Sequence, residues 1–204
     1  MKKIFFITAV LCAISLSEIR AQWGVAVGYD ASVTMKAEGR SANYKPGFHA
    51  GVTYDLKKFS DIWYLQSGLL FTSGGWTKDD YTIDFMGALH ADISDFKTDM
   101  YFLDVPVNFS CRIPIKQNRL ILDAGPYLRY GLFGKITFKS DGDPAEYESF
   151  DEYSRFDIGS NLGVGLEFKN KYLVNAAWQI SITNIQTRTN IQHVRFRIGL
   201  GYLF

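Results

Sequence analysis

From Trp23 onward, apolar residues alternate one by one with polar or small ones, segment after segment. A period of two puts the two sets on opposite faces of extended strands. The pattern is sharpest at the carboxy-terminus, where Val194, Phe196, Ile198, Leu200, Tyr202 and Phe204 interleave with Arg195, Arg197, Gly199, Gly201 and Leu203. It recurs from Trp23 to Met35, Gly47 to Leu56, Ile62 to Ser73, Tyr101 to Arg112, Arg119 to Phe133, Phe156 to Phe168 and Tyr172 to Thr183, which predicts eight strands in all. The fifth segment places Leu120, Leu122, Leu128, Tyr130 and Leu132 on the face opposite Asp123, Gly125, Tyr127 and Arg129. The third is the least regular, because Ile62, Tyr64 and Leu70 fall on its polar face.

Each segment has about the ten residues that a tilted strand needs to cross a bilayer. The connections alternate in length. Lys36 to Pro46, Gly74 to Met100, Gly134 to Arg155 and Asn184 to Asn190 are long, whereas Lys57 to Asp61, Ile113 to Asn118 and Lys169 to Lys171 are short. Short turns on one side and longer loops on the other mark outer-membrane barrels, and an even strand count returns both ends to the periplasm. Trp178, Tyr202 and Phe204 share the aliphatic face near strand ends, which suits an interfacial aromatic belt better than the core of a soluble lipocalin-like barrel. The predicted fold is all-β: an eight-stranded antiparallel up-and-down transmembrane β-barrel.

The beginning of the chain fits export. Lys2 and Lys3 precede an apolar run from Ile4 to about Leu16, and a small residue, Ala21, stands at a plausible cleavage point. This pattern predicts a signal peptide over residues 1–21 and a barrel domain over 22–204. The run is too short for a membrane anchor, and Cys12 lies too far inside it for lipidation. Loss of the signal would leave Cys111 alone, with no intrachain disulfide. Of 204 residues, 47% are hydrophobic and 16% aromatic, and the formal net charge is +1. With no basic stripe, nothing argues for nucleic acid as a partner.

Four stretches carry a family resemblance: Tyr101-Phe-Leu-Asp-Val-Pro-Val107, Ala124-Gly-Pro-Tyr127, Phe156-Asp-Ile-Gly159 with Gly163-Val-Gly-Leu-Glu-Phe168, and Gly199-Leu-Gly-Tyr-Leu-Phe204. In order and spacing the chain resembles the PorT-like outer-membrane β-barrel domain proteins of Gram-negative bacteria. The resemblance implies a location in the outer membrane, contact with outer-membrane lipid, and a part in the cell envelope, with envelope or secretion proteins as partners. It also implies that Tyr202 and Phe204 belong to the signal read by the barrel-assembly machinery. Pro106 and Pro126 sit awkwardly in spanning strands, since each removes a ladder donor. Bulges or strand ends are expected at both.

The polar faces direct Asp30, Asp55, Asp104, Arg112, Asp123, Arg129, Asp157, Glu167, Arg195 and Arg197 into a lumen just wide enough for side chains. Such a set can form a conduction path or proton relay. It can equally be a packed network in which carboxylates pair with guanidinium groups and bond Asn108, Asn161 and Gln179; buried charges of both signs favour the network. The expected role is therefore a structural or binding component of the envelope rather than an enzyme, with a small-solute channel and a rim-located hydrolase acting on lipid or peptide as alternatives. His90 and His193 are placed in or near outer loops, without a nucleophile at a telling spacing, and His49, His90, His193 and Cys111 form no metal-ligand cluster. The acids Asp141, Asp143, Glu146, Glu148, Asp151 and Glu152 read as a solvated loop, not an EF-hand calcium loop. No cofactor is implied. Trp76, Tyr81, Phe85, Met86 and Leu89, apolar residues in a long outer loop, are the expected partner-binding surface. They are also placed to fold over the barrel mouth or to extend its strands.

Overall fold

Alternation along each strand becomes a closed wall when every strand pairs with two neighbours. The computed structural model describes residues 22–36, 43–78, 81–85, 89–140, 143–184 and 191–204. They form β1 (Trp23–Lys36), β2 (Lys45–Lys58), β3 (Trp63–Lys78), β4 (Tyr81–Phe85), β5 (Leu89–Ile115), β6 (Asn118–Ser140), β7 (Asp143–Glu148), a single helical turn α1 (Ser149–Glu152), β8 (Phe156–Phe168), β9 (Tyr172–Ser181) and β10 (Ile191–Leu203). Eight of these close a ring in the order β1-β2-β3-β5-β6-β8-β9-β10, and β10 returns to β1. Every pair is antiparallel. Closure joins the chain ends in register from Gly24 opposite Leu203 to Lys36 opposite Ile191, and the Phe204 N–H donates to the Trp23 carbonyl at 2.8 Å.

The two longest connections are not loops. β3 continues to Lys78 and β5 begins at Leu89, with β4 paired against β5 between them. β6 continues to Ser140 and β7 folds back onto it. The 27 residues of β5 correspond to roughly 90 Å of extended chain, far more than a bilayer requires. Its first half, with β4, the upper part of β6 and β7, therefore stands above the ring as a sheet. Turn-rich sequence at the tips marks where the hairpins reverse, but not where the bilayer ends.

The outward face is apolar and ringed by aromatics at two levels. Near the turn side, Trp23 packs on Tyr54 at 4.5 Å between ring centroids, Phe59 on Phe109 at 5.7 Å, and Tyr202 on both Tyr172 and Phe204 at 5.6 and 5.2 Å. Near the other side, Phe48 meets Phe71 tilted at 6.0 Å, Phe71, Tyr101 and Phe133 stack in sequence at 5.9 and 4.7 Å, and Trp178 meets Phe196 at 5.0 Å. Val25, Val27, Leu69, Leu122, Leu128, Leu162, Val164, Val174 and Leu200 lie exposed between these belts. Continuous apolar surface of this extent suits hydrocarbon and not water.

Local departures have local causes. A register shift between Tyr101 and Phe102 sets Gly131 opposite Phe102 and Phe133 opposite Tyr101, so Leu132 is the extra residue of a bulge. The bulge reverses the face of everything above it, and Phe133, not Leu132, faces out at 55% exposure. The prolines lie neither at bulges nor at strand ends. Pro106 pairs with Tyr127 and Pro126 with Ser160 in mid-strand, and the register is the same on either side of each. Pro126 interrupts the β5–β6 ladder opposite Val107 and Asn108, whereas Pro106 turns its carbonyl, and with it the missing donor, toward β3, where pairing lapses at Gly68 and Leu69 and Ser67 Oγ donates to that carbonyl at 2.8 Å. In the third strand, Leu70 is buried in the lumen, as the irregular phase implied.

Candidate functional site: the polar column of the barrel interior

The inward positions of eight strands converge on a lumen filled by charged side chains. At its centre Asp104 of β5 accepts from Arg129 of β6 through two parallel bonds, Nε to Oδ1 at 2.8 Å and Nη2 to Oδ2 at 3.0 Å. The same carboxylate accepts from Arg197 Nη2 of β10 at 2.8 Å and lies 3.6 Å from Arg195 Nη1. Asp30 of β1 takes the other side of these arginines, with Arg195 Nη1 and Arg197 Nε each at 3.4 Å, and receives His49 Nδ1 of β2 at 2.7 Å. Arg129 also reaches Asp157 of β8 at 3.3 Å and the Gln179 amide oxygen of β9 at 2.8 Å. Asp157 is enclosed by Tyr127, Ser181 and Thr183 hydroxyls. All of these strands belong to the ring, so this single layer ties the wall together across its interior.

Why the charges are tolerated follows from their pairing. A fork of parallel guanidinium–carboxylate bonds compensates desolvation better than a point contact. Aromatic faces do the rest: Arg129 lies 4.8 Å from the Tyr127 ring and 5.3 Å from that of Phe102, and Arg195 lies 5.6 Å from Phe102. His49 fits because its neighbours are glycines. A Cβ on Gly28 would stand 2.4 Å from the imidazole Cε1.

A second charged layer lies toward the turn side. Arg112 Nη2 donates to Asp55 at 2.6 Å while stacking on Tyr64 at 4.2 Å, and Arg119 pairs with Glu167 at 3.1 Å. Between the layers is a cavity of about 70 Å³, lined among others by His49, Asn108, Asp123, Asn161, Asn175 and Arg197. It is bounded below by Leu173 and Leu203. Such a volume holds a few waters. Asn161 donates to Asn108 at 3.1 Å.

The outer mouth is closed by rings. Trp76, Met100 and Phe102 are buried together, with Phe96, Phe150 and Tyr153 against them. Trp76, only 5% exposed, meets Tyr153 edge-on at 4.9 Å and His193 at 6.1 Å. Phe150 enters from α1 over Gly131, where a Cβ would lie 2.1 Å from its ring. Lys45 donates to the Thr98 carbonyl at 2.6 Å and pairs with Asp99 beside this plug.

Asp30, Asp104, Arg112, Asp123, Arg129, Asp157, Glu167, Arg195 and Arg197 thus all line or fill the lumen, in two layers instead of one network. Trp76 is turned inward and presents no outward surface. Tyr81, Phe85 and Leu89 lie on β4 and at the start of β5; their side chains, and Met86 altogether, are outside the described residues, as is the segment 1–21. Tyr202 and Phe204 stand on the lipid side. His193 is not a loop residue: it is buried in β10, with Nδ1 accepting from Arg129 Nη1 at 3.2 Å. Sequence reasoning passed over the parts played by His49 and Tyr127, although each occupies an inward position of its strand. Among the described residues, no three His, Cys, Asp or Glu side chains come together as a metal site.

A closed eight-stranded ring with an apolar, aromatic-belted exterior and a salt-bridged interior defines a small outer-membrane β-barrel protein. The sequence matches the outer membrane protein β-barrel domain family over residues 14–186. The chain belongs to that family. No curated protein matches it. Among solved structures it is similar to Ail, the attachment invasion locus protein of Yersinia pestis, crystallised with the heparin analogue sucrose octasulfate, at 17% identity over 91% of this chain and 100% of that one, with a TM-score of 0.49. Neisserial surface protein A gives 13% identity over 89% and 97%, with a TM-score of 0.48. The outer-membrane enzyme PagL gives 11% over 85% and 97%, with a TM-score of 0.38.

Proposed function

We propose that this protein is a non-enzymatic binding component of the cell envelope, of the PorT-like kind, which engages an envelope or secretion partner through the hairpins that stand above its barrel. The observation that carries this reading is the contrast between a filled lumen and an elaborated outer end. The salt-bridged layer and the ring plug fill the path a solute would take. Meanwhile β4–β5 and β6–β7 hold a sheet clear of the ring, with Lys135 paired to Glu146 at 2.5 Å and Lys139 to Asp95 at 2.6 Å on its surface. Rigid, charge-patterned strands present a better-defined contact than loose loops do. A rim-located hydrolase draws no support from His193, whose ring is enclosed by Trp76, Phe102 and Arg129.

Residues 1–21 serve in this reading as the export signal, and Tyr202 and Phe204 as the signal for barrel assembly. The test is crosslinking in native outer membranes with a tag in the connection between β9 and β10. A partner recovered in stoichiometric amount, and lost when the β6–β7 hairpin tip is deleted from a barrel that still folds, supports the proposal. Recovery of the barrel alone overturns it.

A further inference from the structure

We propose that the turn-side rim of the barrel binds the phosphate groups of anionic phospholipids in the leaflet it faces. The rim is made by the three short hairpin ends, β2–β3, β5–β6 and β8–β9. They carry Lys57 and Lys58, Lys116, and Lys169 and Lys171, and all five side chains are exposed. Among the described residues, Asp61 is the one exposed acidic side chain at this end. With the carboxylate of Phe204 counted as well, positive charge remains in excess.

The lysines at the two ends of the molecule differ in their partners. On the elevated sheet and beside the plug, Lys45, Lys97, Lys135 and Lys139 each face a carboxylate. On the rim only Lys58 has an acid, Asp61 at 2.8 Å. Lys57, Lys116, Lys169 and Lys171 form no ion pair among the described residues. Their counter-charge must come from outside the chain.

Position selects the kind of anion. Each lysine stands within two residues of an exposed apolar side chain on the lipid face: Phe59, Ile115, Phe168 or Tyr172. Lys57 Nζ lies 5.2 Å from the Phe59 ring centre, and that ring stacks on Phe109 in the turn-side belt. An aromatic belt marks the head-group level of a bilayer. From that level a lysine stem lies along apolar surface and carries its ammonium to the phosphates.

Distribution selects lipid over a folded acidic partner. The strand order separates the three hairpin ends around the ring, so the lysines are spread about its circumference. One acidic protein would be met by a cluster on one side, whereas head groups surround the barrel. Attraction of this kind adds up over several lysines at an anionic surface and is weakened by salt. The rim lies at the end away from the β4–β5 and β6–β7 hairpins, so this inference stands or falls independently of their role.

The test uses the full chain, in a Trp178→Phe background, refolded into vesicles of phosphatidylcholine with a fraction of phosphatidylglycerol. One lipid or the other carries brominated acyl chains. Quenching of Trp23 and Trp63, both exposed on the turn side, reports which lipid is in contact. The expected result is a preference of about threefold for phosphatidylglycerol, as several lysines near an anionic surface imply. It should vanish at about 1 M salt, where screening is short-ranged. It should also vanish when Lys57→Gln, Lys116→Gln, Lys169→Gln and Lys171→Gln are combined, and persist in Lys135→Gln with Lys139→Gln. Equal affinity of the unsubstituted rim for both lipids overturns the proposal and assigns the rim to a soluble acidic partner. A preference that survives the four substitutions overturns it too. Should the fourfold variant fail to refold, Lys169→Gln with Lys171→Gln decides: a reduced preference supports the rim, and an unchanged one refutes it.

Discussion

Arg129 makes more contacts that matter than any other side chain in the interior: a fork to Asp104, single bonds to Asp157 and Gln179, and an aromatic face on either side. Replacing it with methionine leaves Asp104 and Asp157 in the lumen with one fewer positive charge. The expected loss is about 3–5 kcal/mol of unfolding free energy, the scale for breaking one side of a buried pair. Urea titration in detergent micelles measures it, and a loss below ~1 kcal/mol would show that Arg195 and Arg197 compensate. The pair Arg129→Met with Asp104→Leu should recover part of the deficit, because the orphaned charge goes with its partner. A gentler change tests His49. Gly28→Ala puts a methyl group 2.2 Å from the Ile198 carbonyl oxygen and 2.4 Å from the imidazole, so it should push β10 back as well as part His49 from Asp30, at a cost of roughly 1–3 kcal/mol for overpacking. Such contacts were half legible in the chain. Parity alone put Asp104, Arg129 and Arg197 on inward faces, but which acid meets which arginine depends on residues 93 positions apart, Asp104 and Arg197, that only closure brings together.

Strands and hairpins obey a different logic. The bulge at Leu132 turns the upper half of β6 over, just above Gly131, which faces inward by ordinary alternation and receives Phe150. Gly131→Leu should therefore expel Phe150 and loosen α1. Limited proteolysis at residues 149–155 would be faster, while the barrel keeps its heat-modifiable migration on gels; unchanged cleavage would argue that α1 is held by other contacts, such as Arg155 on the Gly131 and Leu132 carbonyls. The elevated sheet makes its own forecast. Protease added to intact cells should trim the turn between β6 and β7 and leave the eight ring strands as a protected core. The prolines show why element-level reading falls short. A missing donor ordinarily predicts a bulge, yet Pro106 interrupts the β3–β5 ladder and Pro126 the β5–β6 ladder without shifting the register on either side of them.

At the scale of the whole molecule, two barriers in series block the axis: the ring plug of Trp76, Phe102 and Phe150, and below it the layer around Arg129 and Asp104. The wild-type protein is expected to show no defined single-channel steps in planar bilayers. Trp76→Ala combined with Phe150→Ala should remain closed, because the charged layer is untouched. Defined steps in that double variant would mean that the plug, not the network, is the gate. Each barrier draws on several strands, so neither is a property of a local stretch of sequence.

Much of this protein was determined by its sequence alone. A strict period of two, with apolar residues on one face, charges and glycines on the other and aromatics near the strand ends, admits no other arrangement that satisfies the backbone in hydrocarbon than a closed ring. Strand number and most of the inward and outward faces followed from that. The tertiary structure decided what periodicity cannot carry. A bulge is one residue and leaves no compositional mark, so the reversal at Leu132 was invisible. Long polar connections look alike whether they are loops or hairpins, because a strand standing in water need not alternate as strictly as one in a bilayer. The division of the lumen into two charged layers depends on the stagger of eight strands around the axis, a quantity fixed only when the ring closes.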